Sequence, residues 1–218
     1  MKLLKTLVAA AAFAATVPAF AAVVVLDFEG VGNLTPVGDY YNGTGPVAKN
    51  FGIHFSTATL ALVDSDAGGT GNFANEPSAD TIMFFLDANN AVMDVAAGFD
   101  TGFSFFYSST TAATVNVWSG LGATGTLLGS LALSAQNAGN NCVGDPNGSN
   151  CNWTAIGVAF AGTAMSVDFG GTANQTGFDN ITFGTSVPVP GVPEPETYAL
   201  MLAGLGVLGF IARRRKAA

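Results

Sequence analysis

Hydrophobic residues in the central part of the chain alternate with polar ones in short runs, and clusters of Gly, Asn, Asp and Ser separate these runs. Phe51, Ile53 and Phe55 fall on one side of such a run, and Val115 and Val117 fall on one side of another. A period of two is typical of half-buried strands, whereas no stretch of this region has a convincing helical period. Further strands are predicted at residues 23–28, 81–85, 103–107, 126–133, 153–160, 164–169 and 178–183.

These strands and turns predict an all-β domain over residues 22–184, which is called the body below. Nine or ten short strands, 17 Phe residues and a hydrophobic content of 49% favour two sheets packed face to face over a phenylalanine-rich core. The expected architecture is a single jelly-roll-like β-sandwich.

The N-terminal residues 1–21 have the composition of a secretory signal peptide. Lys2 and Lys5 precede an apolar stretch at residues 7–17, and Ala19 and Ala21 form an A-x-A cleavage motif. The chain is therefore expected to be exported through the inner membrane and cut after Ala21.

The C-terminal end has three parts in a fixed order, after a Pro-rich linker predicted at residues 185–192. Pro193-Glu194-Pro195 is a stiff tripeptide, because each proline fixes its own φ and restricts the residue before it. Residues 198–212 are apolar or Gly and form about four helical turns, roughly 22 Å, which is short for a hydrocarbon core of about 30 Å. Arg213, Arg214 and Arg215 then form a basic cluster that stays cytoplasmic by the positive-inside rule.

This order, over residues 193–218, resembles the PEP-CTERM sorting signal of Gram-negative bacteria. The resemblance is carried by Pro193, Glu194 and Pro195, the Gly-spaced apolar helix and the terminal Arg cluster. It implies that an exosortase is a processing partner, that the inner membrane holds the chain transiently, and that the product reaches the cell surface or the exterior. The alternative is an ordinary membrane anchor that is never cut.

Charge is distributed unevenly between the body and the two ends. Lys49 is the only basic residue of the body besides His54, and only Glu194 and Glu196 of the fifteen acids lie outside it, so the body has a net charge near −12. Nucleic-acid binding is excluded, because phosphate contacts need Lys and Arg. The thirteen body carboxylates must be solvated, bonded to backbone N–H groups or neutralised by a cation, for which Ca²⁺ is the natural candidate outside the cell.

Acidic residues stand at both ends of the body. Asp27 and Glu29 follow its first strand, and Asp179 lies in its last strand beside Phe178. This pairing resembles secreted jelly-roll domains of the carbohydrate-binding-module type. The resemblance implies that the first and last strands lie side by side near a structural Ca²⁺, with Glu29 and Asp179 as ligand candidates and Asp27 as a third. The alternative for Asp179 is a turn cap that bonds its own backbone N–H groups.

A second acidic stretch begins at Asp64-Ser65-Asp66. It opens like a calcium loop but has Asn75 where an EF-hand has its bidentate Glu, with Glu76 one residue later. It is expected to be a solvated Gly-rich loop. Asn75 and Glu76 remain open as oxygen donors to the same cation as Glu29.

Sugar binding would need exposed aromatic rings beside polar side chains. Tyr41 is followed by an amide, and Trp118 is out of phase with Val115 and Val117, so both rings are candidates for a carbohydrate surface. The alternative for each ring is a partly buried position at a sheet edge. Cys142 and Cys151 are predicted to form a disulfide, since the chain is exported and the eight residues between them are rich in turn formers.

Catalytic signatures are missing from the sequence. His54 lies in a predicted strand without a nucleophile motif, and there is no zinc, P-loop or dinucleotide fingerprint. The chain is therefore expected not to be an enzyme, but a surface-sorted structural or adhesive protein associated with exopolysaccharide or a biofilm matrix. The alternatives are a calcium-stabilised carbohydrate-binding module and a carboxylate-dependent glycan hydrolase.

The sorting prediction is tested by the mass of the exported chain. In cells with the exosortase, the product is expected to begin after Ala21 and to have lost the apolar helix and the Arg cluster. In a strain without the exosortase, the product should be heavier by the mass of the uncut C-terminal segment. Mass spectrometry of the intact protein measures this difference. Equal masses from both strains would show that the segment is an uncut anchor.

Overall fold

The structure is a computed structural model that describes residues 23–136, 142, 148–190 and 205. The predicted signal peptide at 1–21 lies outside these residues, as do the Pro193–Pro195 motif and the Arg213–Arg215 cluster. The predicted membrane helix at 198–212 lies outside them except for Leu205. Within the described part of the chain, no helix is both long enough and apolar enough to cross a membrane.

The described residues form twelve strands and two short helical turns, and the prediction of an all-β sandwich is confirmed. The turns are of π type at Tyr40–Thr44 and of 3₁₀ type at Val47–Lys49. The strands are β1 Val24–Leu26, β2 Thr35–Pro36, β3 Ile53–Phe55, β4 Leu60–Val63, β5 Thr81–Phe84, β6 Asn90–Phe99, β7 Gly102–Ser109, β8 Ala113–Gly120, β9 Thr124–Leu133, β10 Thr154–Ala159, β11 Ala164–Gly170 and β12 Thr176–Phe183.

Two antiparallel sheets make up the sandwich. The larger sheet has the order β10-β7-β12-β5-β4-β2, and β1 also pairs with β12. The smaller sheet has the order β3-β6-β11-β8-β9. Strands that are consecutive in the chain often belong to different sheets, so neither sheet is formed by one continuous part of the chain. The two sheets enclose one common core.

Phenylalanine rings fill the space between the sheets, as the composition predicts. Phe169 of the smaller sheet packs against Phe178 of the larger one with ring centroids 5.0 Å apart, and it also contacts Phe103 and Phe105 at 6.0 Å. These four rings are fully buried. Most of the pairs are edge-to-face, the arrangement that the ring quadrupoles favour.

The sequence did not predict β6, a strand of ten residues in the smaller sheet. Ala91, Met93 and Val95 face the core from it, while Val92 and Asp94 point outward. The inner face begins with the small residue Ala91, and the outer face carries the apolar residue Val92. The two faces therefore differ little in polarity, and the period-two signal of a strand is weak there. β6 is held by pairing on both sides, with β3 and β11.

The predicted disulfide between Cys142 and Cys151 is present, with the two Cα atoms 5.1 Å apart. Cys151 is buried, and the residues before it attach to another loop. The backbone N–H groups of Ser149 and Asn150 both donate to the carbonyl oxygen of Asn72, at 2.6 and 3.2 Å. Cys151 of the disulfide therefore follows two residues that are hydrogen-bonded to the segment between β4 and β5.

The first residues of the predicted linker are seated on the larger sheet. Ser104 Oγ donates to the carbonyl oxygen of Thr185 at 2.9 Å, and Val189 N donates to Thr182 Oγ1 at 3.3 Å. Gly157, Ser104 and Thr182 stand opposite one another on β10, β7 and β12. A Cβ atom at Gly157 would collide with the carbonyl oxygen of Ser186, so this row of small residues makes room for the segment. Residues 185–189, called the strap below, are thus part of the folded body.

Removing the disulfide is expected to lower the free energy of unfolding by about 2–3 kcal/mol, because a closed loop of this length restricts the unfolded chain. The double variant Cys142→Ser with Cys151→Ser tests this in urea unfolding experiments. Wild-type protein in reducing agent is the control and should match the double variant. Equal stability of oxidised wild type and variant would contradict the expectation.

Candidate functional site

The middle of β12 is where two other strands meet. The first half of β12 pairs with β5, through Phe178 and Met83, and the second half pairs with β1, through Ile181 and Leu26. β1 and β5 therefore share one edge of β12. The residues that follow β1 and those that precede β5 are brought to the same place, beside Asp179.

A β-bulge lies at this junction. The register of β12 against β7 shifts between Asp179 and Thr182, and Asn180 has a φ of 46°. A left-handed residue in an extra position re-aims the neighbouring side chains. Asn180 is fully buried, and neither atom of its side-chain amide has a hydrogen-bond partner among the described residues.

Ser78 is the centre of the site. Its hydroxyl oxygen lies 2.8 Å from both carboxylate oxygens of Asp179 and 3.3 Å from Glu29 Oε1. The same oxygen lies 3.2 Å from the carbonyl oxygen of Asp27 and 3.5 Å from that of Thr81. Five acceptor oxygens therefore surround a hydroxyl that has one proton to donate.

Backbone and hydroxyl donors hold the two carboxylates in place. Glu29 Oε1 accepts from Asp80 N at 3.0 Å and Thr81 N at 2.8 Å, and Glu29 Oε2 accepts from Thr81 Oγ1 at 3.0 Å. Asp179 accepts from Ser78 N at 2.7 Å and from the N–H of Asn180 at 2.6 Å. The structure thus brings Glu29 and Asp179 together, although they are 150 positions apart in the chain.

Burial makes Asp179 difficult to ionise. The side chain is inaccessible to solvent, and burial raises its pKa to about 7, with a further contribution from the negative charge of Glu29. The hydrogen bonds from Ser78 and Asn180 act in the opposite direction. The bond from the N–H of Asn180, the next residue, matches the alternative that Asp179 caps a turn. The bond from Ser78 does not, because it joins residues 101 positions apart.

The carboxylate of Asp27 pairs with Lys49, and the role of Asp27 as a third metal ligand stays a prediction. Lys49 Nζ lies 2.7 Å from Asp27 Oδ1, and the N–H of Glu29 donates to the same oxygen at 3.2 Å. The body has a single lysine, and it neutralises this carboxylate. Only the carbonyl oxygen of Asp27 faces Ser78.

Tyr41 is buried, so the prediction that its ring offers a carbohydrate surface is wrong. Its exposed fraction is 1%, and the ring packs edge-to-face on Phe28 at 5.9 Å and stacks on Phe51 at 6.2 Å. The hydroxyl accepts from Phe28 N at 2.7 Å and lies 3.4 Å from Asp27 Oδ1. Tyr41 therefore supports the turn after β1, where Phe28 has a φ of 59°.

Trp118 lies on the outer face of the smaller sheet, as its phase predicts, and it is half-buried. It stands opposite Ser166 and Leu127. Its indole N–H is inaccessible and has no hydrogen-bond partner among the described residues. A role for Trp118 in binding sugar stays a prediction.

The second acidic stretch is more buried than expected. Asp64 is 2% exposed, which corrects the expectation of a solvated loop at that residue. Burial raises the pKa of Glu76 to about 7, and the charges of Asp64, Asp66 and Asp80 raise it further. Asn75 Nδ2 donates to the carbonyl oxygen of Cys151 at 3.2 Å, and a role for Asn75 or Glu76 as an oxygen ligand beside Glu29 stays a prediction.

Sequence reasoning missed Ser78 and Thr81. Ser78 precedes β5 and Thr81 is its first residue, and only the pairing of β5 with β12 places them beside Asp179. Over the described residues, no group of three or more His, Cys, Asp or Glu side chains is placed to hold a metal ion. The oxygen atoms gathered at this site come from the carboxylates of Glu29 and Asp179, the carbonyl groups of Asp27 and Thr81, and the hydroxyl of Ser78 itself.

A family model for the PEP-CTERM protein-sorting motif matches residues 191–216. The chain carries a PEP-CTERM sorting motif. The prediction made from Pro193–Pro195 and the Arg cluster is confirmed, and the PEP-CTERM motif indicates an exported surface protein sorted by an exosortase. No curated protein matches the chain.

Several solved structures resemble parts of the sandwich. A family 6 carbohydrate-binding module is 18% identical with a TM-score of 0.37, over 60% of this chain and 85% of that one. The K2 cleaved adhesin domain of Lys-gingipain is 13% identical with a TM-score of 0.46, over 76% and 99%. A module of the same carbohydrate-binding family from Clostridium stercorarium, solved with cellobiose, is 16% identical with a TM-score of 0.36, over 60% and 85%. Similarities at this level transfer no ligand to this chain.

The stability of the chelator-treated protein is expected to fall between about pH 4 and pH 7. The pKa of Asp179 is about 7 in the folded state and about 4 in an unfolded chain, so the folded state binds more protons in this range. The stabilising contribution is complete below pH 4 and is lost as the pH rises through 7. Urea unfolding at successive pH values measures this slope.

Two variants separate the contributions to the slope. Asp179→Asn should flatten most of it, and Glu76→Gln should remove a smaller part, because Glu76 has a raised pKa but is less buried. A slope that is the same in wild type and Asp179→Asn would show that Asp179 does not hold its proton in the folded state.

Proposed function

We propose that this chain is an exported, exosortase-sorted surface protein whose body binds extracellular carbohydrate and is stabilised by Ca²⁺ beside Ser78. The sorting motif supports export, and the calcium part of the proposal rests on one observation above all: five oxygen atoms from four residues converge within 3.5 Å of Ser78 Oγ. Two carboxylates held together in a largely buried place repel each other, and neutral donors leave their charge unneutralised. A cation of suitable size would bind several of these oxygen atoms at once.

The donor set fits a hard cation. Calcium takes six to eight oxygen ligands from carboxylates, carbonyl groups and water in flexible geometry. Glu29 and Asp179 would supply the carboxylates, Asp27 and Thr81 the carbonyl oxygens, and Ser78 a hydroxyl. Neither a thiol nor an imidazole is in this set, which disfavours zinc and copper. The unpartnered amide of Asn180 adds unmet bonding capacity next to Asp179.

A cation here would join three parts of the body. Glu29 follows β1, Ser78 precedes β5 and Asp179 lies within β12. Binding to the folded state alone stabilises that state by mass action. The bound charge would also offset the repulsion between Glu29 and Asp179, and it would displace the proton that burial retains on Asp179 at neutral pH.

A surface role associated with exopolysaccharide or a biofilm matrix agrees with delivery outside the cell. The body has a net charge near −12, which keeps it soluble and away from anionic polymers. We therefore infer that its partners are neutral polysaccharides or other surface components held by non-ionic contacts. This role requires no catalysis by the body.

Calcium is expected to raise the melting temperature of the exported protein by about 5–10 °C over the value in chelator. This corresponds to about 2.7 kcal/mol at a concentration one hundred times the dissociation constant. Glu29→Gln and Asp179→Asn should each abolish the increase. Asp87→Asn is the matched control, since Asp87 is an exposed carboxylate that follows β5, whereas Ser78 precedes that strand, and it should leave the increase intact.

The alternative outcomes are distinct. Equal melting temperatures in calcium and chelator would rule out the metal. An increase that survives both Glu29→Gln and Asp179→Asn would place the cation elsewhere, for instance near Glu76.

A further inference from the structure

A shallow cleft, open to solvent, lies on the outer face of the larger sheet, and Ser78, Tyr41 and Trp118 are not among the residues that line it. Its base is formed by Ile82 and Phe84 of β5. Their neighbours Met83 and Phe85 belong to the core, so alternation directs Ile82 and Phe84 to the opposite face. Phe73 and Trp153 form one wall, packed edge-to-face with centroids 6.3 Å apart.

The rim of this cleft is polar but uncharged. Asn72, Asn150, Asn174 and Gln175 supply four amide side chains, and none of the residues that line the cleft is acidic or basic. This composition stands out in a body with thirteen carboxylates. Aromatic and aliphatic surface flanked by amides, without charge, suits a ligand that has both an apolar face and several hydroxyl groups.

Some of the rim amides have unused hydrogen-bonding capacity. Asn150 Oδ1 has no hydrogen-bond partner among the described residues, and because it is shielded from bulk solvent, a rotation of the side chain would present it to a ligand in the cleft. Gln175 Oε1 accepts from Thr110 Oγ1, which orients the amide and leaves its NH₂ group as a donor. An acceptor and a donor are therefore held at the same cleft.

Several bonds fix the walls of the cleft. The disulfide of Cys151 and the bond from Asn72 Nδ2 to Ser149 Oγ at 2.7 Å hold residues 149–151, which include Asn150. Trp153 Nε1 donates to the carbonyl oxygen of Ala74 at 3.1 Å, so the ring cannot rotate freely. A Cβ atom at Gly177 would lie 2.7 Å from Ile82 Cδ1, which shows that the absence of a side chain there lets the base form.

We propose that this cleft is the carbohydrate-binding site of the body and that it takes a single neutral sugar residue, at a chain end or a side branch. The sugar ring would lie against the indole of Trp153, and the hydroxyl groups of the sugar would bond to Asn150 and Gln175. The inference rests on the proposed function, carbohydrate binding, and adds its location and ligand class. Anionic sugars are disfavoured, because the cleft has no cation to pair with a carboxylate and the body is strongly acidic.

Intrinsic fluorescence can locate the site, because the chain has only two tryptophans, Trp118 and Trp153. Trp118→Phe leaves Trp153 as the reporter of the cleft, and Trp153→Phe leaves Trp118 as the reporter of the other sheet. Each protein, recovered from outside the cell, is titrated with neutral tetrasaccharides of glucose, galactose and xylose, and with tetragalacturonate. A saturable change is expected for a neutral sugar in Trp118→Phe only.

Asn150→Ala and Gln175→Ala, each combined with Trp118→Phe, should weaken the binding at least tenfold while leaving the melting temperature nearly unchanged. Asn116→Ala in the same background is the matched control, an amide on the outer face of the smaller sheet, and should bind normally. No saturable response up to about 10 mM sugar, above the millimolar range of weak specific binding, would overturn the proposal. Equal binding of tetragalacturonate would overturn the ligand class.

Failure of this inference can be told from failure of the proposed function. Sedimentation with the insoluble polysaccharide of the host measures carbohydrate binding without reference to a site. Retention that is unchanged by Trp153→Phe, Asn150→Ala and Gln175→Ala would preserve carbohydrate binding and disprove the cleft. Absence of retention in the wild type would disprove both.

Discussion

A buried carboxylate, Asp179, imposes the constraint around which the body is organised. An ionised group inside a protein is unstable unless it is paired, so this position requires either a proton, a cation or many hydrogen-bond donors. The bulge at Asn180 turns the side chain toward Ser78, and the surrounding donors come from the chain before β5. Satisfying Asp179 therefore requires β5 and β12 to be in register, and Glu29 requires β1 to be paired beside them.

The fold and part of the site could be predicted because they depend on local patterns. Alternating runs identified most strands, and acids at the first and last strands identified Glu29 and Asp179. Ser78 carries no local signal, since a serine in a turn is ordinary and only the register of β5 against β12 gives it a role. Tyr41 was misjudged because a Tyr-Tyr-Asn-Gly loop has the same composition whether its rings point outward or inward. β6 was missed because its two faces differ little in polarity.

Charge distribution links the two proposed sites. Acids concentrate at the turn after β1, in the stretch from Asp64 to Asp80 and at Asp179, whereas the strands β7 to β10 contain none. The cation proposed beside Ser78 lies among these acids. The cleft has no charged lining residue, although Asn72 and Phe73 reach it from the stretch between Asp64 and Asp80. Each site thus has the electrostatic surroundings that its ligand requires, although both depend on the strands β5 and β12.

The strap limits how far the sorting motif can extend from the folded body. Among the described residues its last hydrogen bond is made by Val189, and Pro193 follows four residues later, so Pro193 can lie at most about 14 Å from that point. Val24 pairs with Phe183 at the same corner, so the first described strand also begins there. An exosortase that acts on the folded chain must therefore approach the β1–β12 corner closely, and the shape of that corner becomes part of what the peptidase has to accommodate.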